Sequence, residues 1–217
     1  MKEYNKENIK GHELEAVKAN WYNIRFIKNP SEEVQLEAAK QNGHVIQYIV
    51  NPSEKVQIEA IKENAEVIHY LKNPSEKVQI EAIKQKVYIL QFIKNPSEEV
   101  LLSVVKRNGR NIKFIENPAE KVQLEAVKQD GNAIQFIDYP SEEVLLEAVK
   151  QNGYAISYIK NPSEELQLEA VKQDGRAITF IDNPTMAVQL EAVKENGKAI
   201  KFINNPSIKL RIVSWFH

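Results

Sequence analysis

The chain contains no cysteine. A disulfide framework, a thiolate nucleophile and a zinc–thiolate site are therefore excluded, and the composition fits a reducing cytosol. Long apolar runs are missing too. Nothing approaches the roughly 18 residues that a membrane span needs, and the opening segment, Met1 to Glu7, is polar rather than leader-like. A cytoplasmic protein without a membrane partner is expected. Neither sign of charge is in excess: 29 Lys and Arg against 30 Asp and Glu give a net charge of −1, so there is no global pull toward nucleic acid or anionic lipid. Electrostatic targeting would have to come from the distribution of charge. No stretch alternates with period two between turn signals, so strands are not expected. The 42% apolar and 27% charged content fits a cored, folded protein rather than a disordered one.

What the chain does have is a repeat. All nine prolines, from Pro30 to Pro206, lie 22 residues apart. A period in this range marks a stack of one supersecondary unit whose apolar face is buried only against its neighbours, so a lone unit is not expected to fold. With proline as position 1, the repeat reads Pro-Ser-Glu-Glu-Val-Gln-Leu-Glu-Ala-Val-Lys-Gln-Asn-Gly, a variable residue, then Ala-Ile-X-Tyr/Phe-Ile-X-Asn. The pattern predicts a long helix A with apolar positions 5, 7, 9 and 10, as at Val34, Leu36, Ala38 and Ala39. Asn29 is expected to cap it, with Pro30 as its first residue and Glu32 completing a capping box.

Glycine at position 14 (Gly43, Gly109, Gly131, Gly153, Gly175 and Gly197) is expected to end helix A in a left-handed conformation. A helix B of about two turns follows, burying residues such as Ala133, Ile134 and Ile137 until the next Asn-Pro. Ala65 and Val87 replace glycine in two repeats and Lys86 replaces the usual Asn or Asp. The A-to-B corner there is expected to differ and to bend the stack locally. The fold class is therefore all-α, an α-solenoid of helix-turn-helix repeats shaped as a curved rod or superhelix. It is read as one repeat domain over 1–217: a degenerate capping repeat at 8–29, eight full repeats at 30–205 and a half repeat at 206–217. In that half repeat Trp215 falls on a core position. It is expected to fold back as a lid of a monomer, with an end-to-end dimer as the alternative.

The string Glu-Ala-Val-Lys-Gln-Asn/Asp-Gly followed by X-Ala-Ile-X-Tyr/Phe, at Glu125 to Phe136 and Glu147 to Tyr158, resembles the short α-helical repeats of the domain of unknown function 4116 type, found in phage and bacterial proteins. That resemblance implies an interaction protein of phage or bacterial origin. It brings no reaction and no catalytic residues.

Recurring positions serve packing and capping, which leaves the variable positions 15, 18 and 21, one face of helix B, free to specialise. Positions 15 and 18 carry six Lys or Arg and one Glu, so this row holds +5 against −6 for the rest of the chain. The candidate partner-binding residues are Arg25, His44, His69, Tyr88, Arg110, Lys113, Tyr154, Arg176, Lys198 and Lys201. They predict a mildly basic groove dotted with residue types common at interfaces; the bland alternative is a solvated face. Position 19 carries an aromatic in every repeat, and this ladder is read as a buried wedge between repeats rather than a stacking platform.

Paired glutamates such as Glu142/Glu143 recur at a helix start, where the dipole explains them, so no enzyme is expected. His44 and His69, with Glu66, read as surface residues rather than a metal site, and no cofactor is implied. The expected function is a noncatalytic scaffold or inhibitor that holds a protein or peptide partner along helix B, for instance a phage-encoded modulator of a host factor. Single-stranded nucleic-acid binding along the same row is the alternative, weakened by Glu66, Glu116, Asp138 and Asp182 beside it.

Overall fold

A computed structural model of the chain describes residues 8–216. The polar segment Met1 to Glu7 and the last residue, His217, lie outside the described residues. The fold is an all-α repeat solenoid, with no strand among the described residues. A representative repeat pairs an α-helix, Glu142–Gln151, with a short helix, Gly153–Tyr158, and the same two lengths recur from Glu32 to Phe202. The chain forms two compact units, Met1–Val100 and Leu101–His217. No helix among the described residues is long and apolar enough to cross a membrane.

Helix A starts two residues later than the sequence predicts. Asn29, Asn51, Asn95, Asn117, Asn161, Asn183 and Asn205 all adopt left-handed φ angles of 46–58°, which Asn tolerates better than other residues bearing a β-carbon. Asn is therefore the turn and not the cap. The cap is serine at position 2: Ser31 is extended, and its Oγ accepts the Val34 N–H at 3.4 Å. This register puts valine where a capping box needs Glu. Instead Gln35, one residue further on, donates from Nε2 to the Pro30 carbonyl at 2.8 Å. The glutamate at position 3 is freed to reach across repeats. It accepts the cap hydroxyl of the next repeat, as in Ser75 to Glu54 and Thr185 to Glu164, both at 2.6 Å.

Glycine also has a different task from the one expected. Gly43, Gly109, Gly131, Gly153 and Gly175 do not take a left-handed φ. Position 13 turns the corner in extended conformation, with φ between −146° and −162° from Asn42 to Asn196. Its side chain then caps helix B, as Asn152 Oδ1 does for the Tyr154 N–H at 3.0 Å. Where glycine stands at position 14, helix A of the next repeat lies close against it. A β-carbon on Gly131 would overlap the Ala148 carbonyl oxygen, and one on Gly153 the Ala170 carbonyl oxygen. The corners before Ala65 and Val87 keep the same backbone, since Asn64 and Lys86 have φ −149° and −146°, a region open to any residue, but Lys86 makes no side-chain cap to helix B.

Among the described residues helix B is a 3₁₀-helix, six residues in each of nine copies. At three residues per turn its side chains eclipse in rows of three. Row 14-17-20 points inward, so Gly153 and Ile156 are buried and Ile159 is partly buried, while position 16 packs beside them as Ala155. In the second compact unit Ile156, with Ile159 packed against it, joins Leu166, Val171, Ile178, Val188 and Leu210 from helices A and B in one core.

The chain's last helix, Ile208–Val213, buries Leu210 and leaves Trp215 86% exposed. The expected lid is therefore not formed. Position 10 is buried in other repeats by the following helix A, as Val171 and Val193 are, and Trp215 sits in a turn beyond its own helix. Trp215→Ala is expected to change stability by less than about 0.5 kcal/mol, the usual range for an exposed side chain. Denaturant melts of the two proteins check this.

Candidate partner-binding surface

The three-residue period of helix B sets the surface. Row 15-18-21 faces out, and the position-18 residues Arg25, His69, Lys113 and Lys201 are all exposed. Several shorter position-18 side chains turn back onto the helix. Gln135, Ser157 and Thr179 each donate to the carbonyl of position 15 in the same repeat, at 2.8 Å. They leave the neighbouring aromatic row uncovered. From Tyr48 to Phe202 the position-19 rings are 37–49% exposed, so they are not the buried wedge expected from an α-helical reading. In a 3₁₀-helix position 19 lies at the edge between the inward and outward rows. It is also the last helical residue before the chain departs in extended conformation.

Side chains from adjacent repeats knit this face together. In the first compact unit the Arg25 guanidinium lies 3.9 Å from the Tyr22 ring centroid, and Tyr22 meets Tyr48 edge-on at 5.7 Å. His44 pairs through Nε2 with Asn64 at 3.2 Å and packs edge-on against Tyr70. His69 bonds through Nδ1 to the Glu66 carbonyl and tilts over Tyr70 at 3.8 Å. Glu66 accepts from Tyr88 at 2.6 Å and from Lys86 at 3.1 Å. Those two bonds, the tyrosine's first, hold its carboxyl below the ordinary carboxylate range. Among the described residues no group of three His, Cys, Asp or Glu could hold a metal ion.

Of the six cations at positions 15 and 18, five fall in the second compact unit, whereas the one acid at those positions, Glu66, lies in the first; position 21 adds Glu116, Asp138 and Asp182 to the second. Two of the five are neutralised within the fold. Arg110 donates from Nε to Asp130 at 2.6 Å. Arg176 grips Asp174 with Nε at 3.0 Å and Nη2 at 2.6 Å. Lys113 lies over the Phe114 and Phe136 rings, 5.0 and 6.0 Å from their centroids. Lys198 and Lys201 are exposed. Tyr154 meets Phe180 edge-on at 5.7 Å, and burial followed by the Asp174 carboxylate pushes its phenol up. The position-13 acids Asp130 and Asp174 read from sequence as helix-corner residues; the available signal was an Asp where most repeats have Asn, with an Arg two residues on at Asp174 and one repeat earlier for Asp130.

The Arg176 guanidinium holds the Asp174 carboxyl down to about 2. A carboxylate held below its ordinary value adds stability above that value and loses it as pH falls through the depressed one. Asp174→Asn keeps the cap of helix B and removes the charge. It is expected to cost about 1 kcal/mol at neutral pH, the upper end for a pair whose arginine is open to solvent. The gap between variant and wild type should close as pH falls from about 4 toward 2, which urea titrations across that range measure.

Beside the aromatic row runs a groove. At one junction it encloses about 520 Å³ between Ile112, Ile115 and Pro118 on one side and Phe136 and Ile137 on the other, with Gln123 also lining it. A groove of about 520 Å³ in the same repeat register occurs in the first compact unit, lined by Ile46, Ile49, Pro52, Tyr70 and Leu71. The cleft therefore belongs to the repeat and not to one irregularity.

Residues 120–162 match the family model described as Domain of unknown function (DUF4116). The 22-residue helix pattern of this segment recurs before and after it. No curated protein and no solved structure shows significant similarity to the chain.

Proposed function

We propose that the chain is a noncatalytic interaction module that holds an extended peptide segment of another protein along helix B of its second compact unit. The observation that carries this reading is the half-exposed aromatic row from Phe114 to Phe202 beside a groove that recurs with the repeat. Aromatic side chains supply large contact area at low conformational cost, and rings left half open at the edge of clefts with mixed polar and apolar walls suit a ligand that completes their burial. A protein holding such a partner would act as a scaffold or an inhibitor, and the lack of cysteine fits work in a reducing cytosol. Nucleic acid fits less well. Phosphate binding draws on dense free Lys and Arg, whereas Arg110 and Arg176 are paired to Asp130 and Asp174.

Selection of a displayed random-peptide library on the wild-type protein tests this reading. The variant Phe114→Ser/Phe136→Ser/Phe180→Ser is expected to bind the selected peptides at least about tenfold more weakly, the scale of hot-spot losses, while its circular dichroism stays helical. Equal affinity for both proteins would refute the assignment. Retention of single-stranded DNA by the wild type at physiological salt, with a steep salt slope, would favour nucleic acid instead.

A further inference from the structure

The chemistry of the partner can be narrowed by matching periods. Within the second compact unit one exposed ring recurs per repeat: Phe114, Phe136, Tyr158, Phe180 and Phe202. Successive repeats are joined by packed helices, whose axes lie about 8–10 Å apart. A ligand that presents the same kind of side chain to each ring must repeat at about that distance. A β-strand returns a side chain to one face every two residues, about 6.8 Å, and among the described residues there is no sheet edge to pair with it. An α-helix has a pitch of about 5.4 Å and a diameter of about 10 Å, too wide to enter slots whose walls stand that close. A polyproline II helix has three residues per turn and a rise of about 3.1 Å, so every third residue returns to the same face after about 9.3 Å.

We infer that the groove takes a proline-rich segment in the polyproline II conformation, one turn per repeat, with the rings seated between the successive aromatics. This inference rests on the peptide-binding reading above and specifies the peptide. Proline fits the chemistry of the site, because apolar rings pack on aromatic faces and a proline-rich strand brings few N–H groups that need acceptors. Its fixed backbone also reduces the ordering cost of binding a long extended ligand. The groove between Ile112 and Ile137 is bordered by Glu116 and Asp138, and further along the same position holds Lys160 and then Asp182. Lys113, which lines the same groove, is drawn over the Phe114 and Phe136 rings. Three acids against one lysine at this position of the second unit favour Lys or Arg at the ligand residue that faces outward.

The probe is a series of peptides made of Pro-Pro-Lys triplets, titrated by calorimetry against the full chain. Affinity is expected to rise at least about threefold with each triplet added from two to four, as each new turn engages another ring. It should fall about tenfold or more with Phe136→Ser, which removes a ring from the exposed row, and fall again when the triplets carry Glu in place of Lys. Peptides selected from the random library, bound through the aromatic row while the triplet series is ignored, would overturn the polyproline assignment and leave the peptide-binding reading standing. Enrichment of helical peptides would do the same. If neither triplets nor any selected peptide depend on the aromatic row, both fail together.

Discussion

Ile156→Ala is expected to lower stability by about 2–5 kcal/mol, the range for emptying a fully buried aliphatic site, whereas Tyr158→Ala, two residues away, should cost less than about 1 kcal/mol. The contrast follows from the 3₁₀ geometry of helix B. Ile156 lies in the inward row, 1% exposed, and belongs to the core shared with Leu166, Val171 and Ile178. Tyr158 lies in the edge row, 49% exposed, so its removal opens little cavity. An aromatic side chain would ordinarily be the larger loss. Urea denaturation followed by far-ultraviolet circular dichroism reads both values. Equal losses would mean that position 19 packs between repeats after all.

A second large effect is expected at position 14. Gly131→Ala should cost about 1–3 kcal/mol by overpacking, because the added carbon meets the Ala148 carbonyl oxygen of the next repeat. Gly131→Asn separates close approach from backbone conformation. Were glycine chosen for a left-handed turn, Asn would be the mildest replacement, since it tolerates that region. With glycine chosen for contact, Asn adds more atoms to the same overlap with Ala148 and to the crowded Gln151 and Asn152 side chains, and should be worse than Ala. Melting both variants beside wild type decides the matter, and an Asn variant more stable than the Ala variant would contradict the contact account.

These cases show where the sequence was legible and where it was not. The period, the all-helical class and the buried positions of helix A could be read from residues such as Val122, Ala126 and Val127, because a 22-residue repeat restates each of them many times. The roles of Asn29, Gly43 and the aromatic row could not, and the common reason is that contacts between repeats decide them. Asn and Gly are turn residues by composition, and both sit at corners. Which of the two takes the left-handed angle depends on how closely the next helix approaches, and that approach reserves glycine for position 14. The rings at position 19 looked buried because an α-helical period places them beside Ile134 and Ile156. The 3₁₀ period rotates them outward. Val87 raised an expectation of a distorted corner that only a left-handed glycine would have justified. The basic row was legible as composition, and what the sequence concealed was that Arg110 and Arg176 already have partners.

Fluorine nuclear magnetic resonance on the protein carrying 4-fluorophenylalanine tests the central claim most directly. Phe114, Phe136, Phe180 and Phe202 are half-exposed in the second compact unit, and Phe216, 78% exposed at the end of the chain, serves as an internal control. Each ring should show a solvent isotope shift between light and heavy water. Addition of a peptide selected on the wild-type protein should move the four row resonances and leave that of Phe216 in place. Row resonances insensitive to the solvent, or a bound peptide that shifts none of them, would contradict the assignment of the aromatic row as the binding surface.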